Sequence, residues 1–303
     1  MKSWKSLHAP ALVLATLFAS GGSSLAEEPW KFKGTVFFDR AASEQDEDDD
    51  EPGSARGLQP RFGVGLTATR SYDLKNGNNL GLALGFRHER YPENPQSNRF
   101  YFDGGMYYTV PLEMGRLRQF QVGLNLRNAD DEYDWVYNRA RLETSVRIRA
   151  APRNTIRLRT RVGYREQNDE HTFSGYDQAE YLFDVMHNWQ SESKIWRTTS
   201  IVYFEHRQAD KDQYTYDEAG ARLIGRRELT EMTTLIGRTN AFIRDYRDEV
   251  REDQRLRGTL GLEFDLGHEA ILEAFSGYER NWSTVEDKDY GGAVFGIQLS
   301  KGF

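Results

Sequence analysis

The sequence contains no cysteine, so it can form neither a disulfide framework nor a thiolate metal site. Beyond its first residues it has no continuous run of about 20 apolar residues, the length that a membrane-spanning helix needs. It also lacks an extended helical period and the Gly-x-Ser-x-Gly and His-Glu-x-x-His motifs of many hydrolases. These absences argue against a disulfide-stabilised domain, a helical domain and the common hydrolase classes. No metal and no cofactor is expected.

The first residues have the form of a secretory signal. Lys2 and Lys5 precede an apolar run over residues 9–18, and small residues follow it. We therefore expect residues 1–26 to be a signal peptide and residues 27–303 to form the exported domain. Removal of the two lysines would shift the formal net charge from -7 to about -9 for the exported protein.

The stretch from Arg139 to Arg165 alternates between polar and apolar side chains with the period of a β-strand, interrupted by a turn around Pro152. The polar face of this hairpin carries eight arginines: Arg139, Arg141, Arg147, Arg149, Arg157, Arg159, Arg161 and Arg165. A soluble sheet would place its apolar face on a core and the arginines in water. A transmembrane β-barrel would turn the apolar face to lipid and the arginines to an aqueous lumen. The rest of the chain decides between these structures.

Strand-like segments recur along the chain with little between them. We predict fourteen strands, over residues 30–41, 60–73, 80–90, 99–112, 117–128, 135–150, 155–166, 177–189, 195–207, 215–229, 233–247, 255–266, 269–282 and 290–303. Arg227 and Arg280 fall on the apolar phase, near the expected membrane interfaces. An even strand number places both termini on one side. The predicted fold class is all-β, a single transmembrane antiparallel β-barrel of about fourteen strands.

The connections between the predicted strands fall into two classes that alternate along the chain. The even-numbered connections are two to six residues long and hold three acidic residues in all. The odd-numbered connections run from six to eighteen residues and hold 23 acidic residues. Outer-membrane barrels have short periplasmic turns and longer extracellular loops. We therefore assign the even connections to the periplasm and the acidic odd connections to the cell surface.

The last predicted strand ends on Phe303. One of its faces is apolar and carries Ala293, Phe295, Ile297, Leu299 and Phe303. This strand resembles the C-terminal signal of bacterial outer-membrane proteins, although Lys301 stands where those proteins prefer an apolar or aromatic residue. In strand number, short connections and terminal phenylalanine, the mature chain resembles the monomeric fourteen-stranded porins of the OmpG type. It resembles more loosely the oligogalacturonate-specific porins of the KdgM type, which have fewer strands.

The lumen-facing positions of such a barrel hold more basic than acidic side chains, although the protein is negative overall. A basic lumen favours anions, and the arginine fork holds carboxylates through two parallel hydrogen bonds. We therefore predict that the hairpin arginines form a path for anions, an arrangement similar to the arginine tracts of the oligogalacturonate porins. Three further arginines belong to the predicted path: Arg238, Arg255 and Arg257. In the alternative interpretation the arginines are paired with acids such as Glu143, Glu180 and Asp184, and the channel is a general one.

Residues 44–51 form an acidic run, EQDEDDDE. Clustered carboxylates suit hard cations, so one interpretation is a site for Ca²⁺ or for the divalent cations that bridge lipopolysaccharide phosphates. The other interpretation is a solvated loop, because the run lacks the glycine and the spacing of an EF-hand. An acidic rim opposes anion entry, and salt screening over about 8 Å removes that effect only in part.

Three other functional classes stay open on the sequence. A lipid-modifying outer-membrane enzyme needs a nucleophile and a base at the membrane boundary. His88, His187 and His206 fall on the lipid-facing phase near strand ends, where an interfacial histidine is the commoner explanation. An accessory barrel for export of a polymer or protein would need a separate partner subunit. A soluble β-protein conflicts with the export signal, the sorted connections and the terminal Phe303.

The sequence therefore predicts a monomeric outer-membrane porin without enzymatic activity. Its solutes are expected to be small and hydrophilic, with a preference for anions and for acidic oligosaccharides. Its partners are expected to be outer-membrane lipid and lipopolysaccharide, and not nucleic acid.

Overall fold

The computed structural model describes residues 26–27, 29–41, 57–74, 76–132, 134–168, 177–247 and 251–303. Fourteen long strands account for most of these residues. We number them β1 Lys31–Ala41, β2 Gln59–Asp73, β3 Asn79–Arg90, β4 Arg99–Met114, β5 Leu117–Asp130, β6 Trp135–Ala151, β7 Asn154–Gln167, β8 Gln178–Gln190, β9 Trp196–Ala209, β10 Tyr216–Thr230, β11 Thr233–Tyr246, β12 Glu252–Gly267, β13 Ala270–Ser283 and β14 Tyr290–Gly302.

Each strand pairs antiparallel with its neighbours in the sequence, and β14 pairs with β1, so the sheet closes on itself. The seam continues beyond β14, where the backbones of Phe32 and Phe303 exchange hydrogen bonds of 3.1 and 3.0 Å. The rings of these two residues stack with their centroids 6.0 Å apart. A two-residue strand, Ala26–Glu27, adds to the edge of β2. Closure leaves none of the fourteen described strands with an unpaired edge.

The predicted β-barrel is confirmed. Every predicted strand has a counterpart, and no predicted end differs from the observed one by more than three residues. The two basic side chains predicted on the apolar phase do lie there: Arg227 stacks on Trp196 at 5.1 Å, and Arg280 forms an ion pair with Asp289. Aromatic and acidic partners near the strand ends thus accommodate these charges. No helix in the described ranges is long and apolar enough to cross a bilayer.

The two ends of the barrel differ in the length of their connections. The short turns are residues 74–78, 115–116, 152–153, 191–195, 231–232 and 268–269. At the other end three connections carry single 3₁₀ turns, Pro95–Ser97, Asp212–Tyr214 and Glu286–Lys288. By the rule for outer-membrane barrels the short turns mark the periplasmic end. The predicted signal peptide, apart from Ala26, and the acidic run over residues 44–51 lie outside the described residues.

The outer surface of the barrel is apolar along the middle of the strands. Its exposed aliphatic and phenylalanine side chains include Val36, Phe62, Val64, Leu66, Leu84, Phe102, Leu142, Leu158, Val162, Val202, Phe204, Leu223, Ile243, Leu256, Leu260, Phe295, Ile297 and Leu299. Exposed tyrosine and tryptophan side chains flank this band, among them Trp189 and Trp196 at the short-turn end and Trp282 at the other end. An apolar band between aromatic girdles is the outer surface that a bilayer requires.

On the inner surface, large aromatic rings lie over glycines of neighbouring strands. The ring of Tyr203 on β9 covers Gly220 on β10, where an added Cβ atom would lie 2.3 Å from the Tyr203 Cζ atom. The Tyr203 hydroxyl donates a 2.6 Å hydrogen bond to Glu218 Oε1, which holds the ring in place. Phe37 covers Gly63 in the same way. Glycine at these positions makes room for rings that would otherwise project into the lumen.

Replacing Gly220 with alanine is therefore expected to destabilise the barrel by about 1–3 kcal/mol, because the new methyl group overpacks against a ring that is fixed by its hydrogen bond. Urea unfolding of the protein reconstituted in lipid vesicles measures the change. Gly225→Ala on the same strand is the matched control, since nothing lies within 4 Å of its added Cβ atom. An equal loss of unfolding free energy in the two variants would contradict the overpacking argument.

Candidate functional site

All eleven arginines of the predicted path lie on the lumen phase of their strands. In the hairpin of β6 and β7, Arg139 lies directly opposite Arg165, and Arg147 lies directly opposite Arg157. The surroundings of these arginines differ along the barrel axis. The lumen therefore divides into an extracellular part, a middle cavity and a periplasmic part, which are described in turn.

The extracellular half of the wall carries a ring of buried ionic side chains, here called the charged belt. Its members are Asp39, Arg61, Glu89, Arg141, Arg165, Glu180, Glu205, Arg207, Glu218, Arg244, Asp253 and Glu279. Some of its ion pairs join residues directly opposite in register, such as Arg61 with Asp39 at 2.7 Å. Because buried charges are costly unless they are paired and hydrogen-bonded, the belt is a tightly constrained part of the wall.

One belt contact spans three strands. The Arg141 side chain on β6 crosses Gly163 on β7 and donates a 2.6 Å hydrogen bond to Glu180 Oε2 on β8. Arg165 approaches the other oxygen of the same carboxylate, with its Nε atom 3.5 Å from Glu180 Oε1. The Arg165 guanidinium also lies over the ring of Tyr137 at 4.6 Å and has no solvent exposure. Arg165 is therefore part of the wall and is not accessible to a passing solute.

A loop reaches inward at the extracellular mouth. Tyr214 lies in the connection between β9 and β10, yet it packs against the buried cluster of Tyr101, Ala129, Val136 and Tyr137. That cluster belongs to β4, β5 and β6, and Tyr101 and Tyr137 are on the lumen phase. Tyr214 reaches these strands only if its connection folds over the mouth. The belt and this loop therefore both lie at the extracellular end of the lumen.

A cavity of about 610 Å³ begins at the level of the charged belt, whose Arg141 lines it, and extends toward the periplasmic end. Six arginines and two carboxylates line it: Arg127, Arg139, Arg141, Arg159, Arg161, Arg222, Asp103 and Glu143. Neutral polar groups complete the lining, among them Thr67, Thr69, Tyr107 and Asn125. Arg222 projects from β10, whereas the other charged lining residues come from β4 to β7. The cavity is thus a strongly basic chamber with hydrogen-bond donors on opposite sides.

Several lining arginines are anchored by carboxylates. Arg127 donates to Asp103 at 2.7 Å, and Arg159 donates to Asp184 at 2.6 Å and to Glu143 at 3.3 Å. Pairing with Glu143, Glu180 and Asp184 is therefore present, as the alternative interpretation of the sequence expected. Even so, the lining has an excess of four cationic side chains over carboxylates. Anchoring fixes the orientation of the guanidinium groups without removing the positive potential of the cavity.

At the periplasmic end the hairpin arginines have different surroundings. Arg147 and Arg149 are exposed, and Arg157 is half-buried with its Nε atom unsatisfied. Within the part of the chain that the structure describes, these three side chains, here called the periplasmic arginine cluster, form no ion pair and no hydrogen bond. The cluster lies below the cavity, toward the short turns.

The three predicted arginines outside the hairpin are bound to carboxylates. Arg238 binds both oxygens of Glu273, at 2.6 and 3.0 Å. Arg255 donates to Glu279 at 2.7 Å, and Arg257 lies 3.7 Å from the same carboxylate. These arginines line the opposite wall from the hairpin. Their role as ligands for a solute stays a prediction.

The histidines singled out in the sequence lie on the outer surface. His206 Nδ1 is 2.7 Å from Asp217 Oδ1, beside the ring of Tyr181. His88 stacks on Phe100 with centroids 4.1 Å apart, and His187 is 3.0 Å from Asn154 Oδ1. Among the described residues no group of three or more histidine, aspartate or glutamate side chains could hold a metal ion. That the protein is not an enzyme and holds no metal stays a prediction.

Solved structures with the same architecture are outer-membrane proteins. The outer membrane channel DcaP of Acinetobacter baumannii aligns with 93% of this chain and 99% of its own at 8% identity, with a TM-score of 0.55. The chain has the fold of an outer-membrane β-barrel. A bacterial polysaccharide outer membrane secretin aligns over 90% of this chain and 98% of its own, at 9% identity and a TM-score of 0.51. Outer-membrane expressed OmpT of Vibrio cholerae aligns with 93% of this chain and 99% of its own, at 10% identity and a TM-score of 0.50.

No family model and no curated protein matches the chain. The structural likeness therefore defines the fold, and the location of the protein is the bacterial outer membrane. The specific resemblance to the OmpG and KdgM types stays a prediction. What passes through the lumen has to be argued from the side chains that line it.

Proposed function

We propose that the protein is an outer-membrane channel that lets small anionic solutes, including acidic saccharides, diffuse passively through its lumen. The observation that carries this proposal is the middle cavity, whose lining of six arginines and two carboxylates lies inside a protein of net charge -7. A water-filled lumen at this strand number agrees with barrels in general, since about 8 strands are filled by side chains and about 16 leave a channel. Transport of this kind needs no catalytic group.

Electrostatics favours anions in this cavity. The lining has an excess of positive charge, and low-dielectric walls concentrate its field within the lumen. The two lining carboxylates that would repel an anion are each paired with an arginine: Asp103 with Arg127, and Glu143 with Arg159. Small anions should therefore cross the lumen more readily than cations of similar size.

Saccharides with carboxylate groups fit the chemistry of the lining. The guanidinium fork binds a carboxylate through two parallel hydrogen bonds. Tyr107, Asn125, Thr67 and Thr69 supply neutral donors and acceptors that match sugar hydroxyls. A solute that carries both groups can therefore use the charged and the neutral parts of the cavity together.

The proposal includes a monomeric barrel whose partners are outer-membrane lipid and lipopolysaccharide. The apolar outer surface between its aromatic girdles supports direct contact with lipid around the barrel. The single closed sheet leaves no long strand edge through which a second copy would pair.

Single-channel recording in a planar bilayer tests this proposal. The reversal potential is measured under a KCl gradient at neutral pH, and the recording is repeated with oligogalacturonate in the bath. We expect a reversal potential of the sign given by chloride preference, and block of the open current by the acidic sugar. Neutral maltodextrin of similar length is the control and should block less.

Two outcomes would overturn the proposal. A reversal potential that indicates cation preference would mean that the acidic extracellular connections control permeation. Absence of conductance from folded, vesicle-inserted protein would reject a channel altogether. Equal block by acidic and neutral sugars would retain the channel and reject recognition of carboxylates.

A further inference from the structure

The periplasmic arginine cluster contains a like-charge contact that the sheet itself does not relieve. Arg147 on β6 and Arg157 on β7 are directly opposite in register. Side chains in such positions have Cβ atoms about 4.5–5.5 Å apart, and like charges there destabilise the pair. The remaining neighbours across the strands are neutral: Gln119 lies opposite Arg147, and Met186 lies opposite Arg157.

Nearby carboxylates compensate this contact only in part. Glu143 and Asp184 attract Arg157, but both are hydrogen-bonded to Arg159. Arg149 extends the cluster toward the turn, where its backbone N–H donates to the carbonyl of Arg116 at 2.8 Å. In the described part of this wall, the cluster therefore keeps an excess of positive charge.

We infer that the periplasmic arginine cluster, Arg147, Arg149 and Arg157, is a binding site for a multivalent oxyanion that enters from the periplasmic end. A ligand with several negative oxygens bridges the opposed guanidinium groups and removes their repulsion. The buried, unsatisfied Arg157 Nε atom supplies a donor that such a ligand can satisfy. This site is separate from the middle cavity, and its effect on permeation rests on the proposed channel function.

The site makes the lumen asymmetric. At the extracellular end the charges are buried and paired in the belt, whereas at the periplasmic end Arg147 and Arg149 are exposed. A multivalent anion added on the periplasmic side meets the cluster at once. The same anion added outside must first pass the belt and the mouth. Block by such an anion is therefore expected to depend on the side of addition.

Binding is measured first, without any need for conductance. Isothermal titration calorimetry of the folded barrel in detergent uses inorganic pyrophosphate as the probe, at fixed ionic strength. We expect saturable binding that is about tenfold weaker or more in Arg147→Gln/Arg157→Gln, since each lost charge-assisted hydrogen bond contributes on the order of a tenfold change. Lys194→Gln/Lys301→Gln, which removes the same charge from exposed positions outside the lumen, should retain the binding, and Arg161→Gln/Arg222→Gln measures any binding in the cavity.

Thermal unfolding of the same proteins shows whether the variants fold. Removing the opposed charges should leave the Arg147→Gln/Arg157→Gln variant at least as stable as the parent without ligand. Pyrophosphate should raise the unfolding temperature of the parent and not that of this variant. Binding that survives in this variant and disappears in the cavity variant would overturn the inference, as would no binding to the parent.

Side dependence is then measured in bilayers of known orientation. Because the chain has no cysteine, Ser193→Cys in a short turn can be labelled with a membrane-impermeant maleimide to mark the periplasmic side. Pyrophosphate is expected to block at lower concentration from that side. Equal block from both sides would overturn the asymmetry. If the protein binds pyrophosphate in calorimetry but does not conduct, the channel function is rejected and the anion-binding site is retained.

Discussion

Glu180→Gln is expected to lower the free energy of unfolding by about 3–5 kcal/mol, the range for removal of one partner from a buried ion pair. Glu180 is the shared carboxylate of Arg141 and Arg165, and all three side chains are nearly inaccessible to solvent. The neutral amide removes the carboxylate charge that the two buried guanidinium groups share. Urea unfolding in lipid vesicles, followed by the fluorescence of the five tryptophans beyond the predicted signal peptide, measures the loss.

The matched control is Glu192→Gln. Glu192 forms an ion pair of 3.0 Å with Arg153 on the periplasmic surface, but its side chain is 88% exposed. An exposed pair of this kind contributes about 1 kcal/mol or less. If both variants lost the same small amount, the charged belt would not be an energetically important part of the wall. A double variant, Arg141→Met/Glu180→Gln, should recover part of the loss because the uncompensated charge is removed.

Arg161→Gln/Arg222→Glu is expected to abolish most of the proposed anion preference of the channel. These two changes leave four arginines and three carboxylates in the cavity lining, so its cationic excess falls from four to one. Because selectivity follows the sign and size of the lumen field, the reversal potential under a KCl gradient should move close to zero. Arg222 has the neutral neighbours Ile201 and Asn240 in register, which limits the structural cost of the new carboxylate.

Arg153→Gln/Lys194→Glu makes the same change in net charge at the tips of two periplasmic turns. This control should retain a reversal potential near that of the parent, since fields outside the lumen are screened over about 8 Å at physiological ionic strength. A parent-like reversal potential in the cavity variant would show that the cavity does not select ions. A shift of the same size in both variants would assign selectivity to overall charge.

The strands and the faces of their side chains could be predicted from the sequence because a barrel strand has a period of two and each face has a distinct solvent. Arg147 and Ile148, which are adjacent in the chain, illustrate the point, since one faces the lumen and the other faces lipid. Sorting of the acidic residues onto alternate connections gave the orientation. Even Arg227 and Arg280, which break the alternation, were placed correctly near the ends of their strands.

The contacts inside the lumen could not be predicted in the same way. Arg141 lies 39 residues from Glu180, and their bond depends on the register of three strands and on the missing side chain at Gly163. Arg222 lies on the lumen phase of β10, but nothing in the alternation places it across the cavity from β6. Nothing in the sequence around Tyr214 predicts its contact with the inner cluster, because the folding of a connection over the mouth depends on tertiary packing.

The packing of Tyr214 joins two distant walls of the barrel at one end. A side chain from the connection between β9 and β10 rests on a cluster carried by β4, β5 and β6. A tube that is braced across one rim resists flattening at that rim, so this contact helps the barrel to keep its cross-section there.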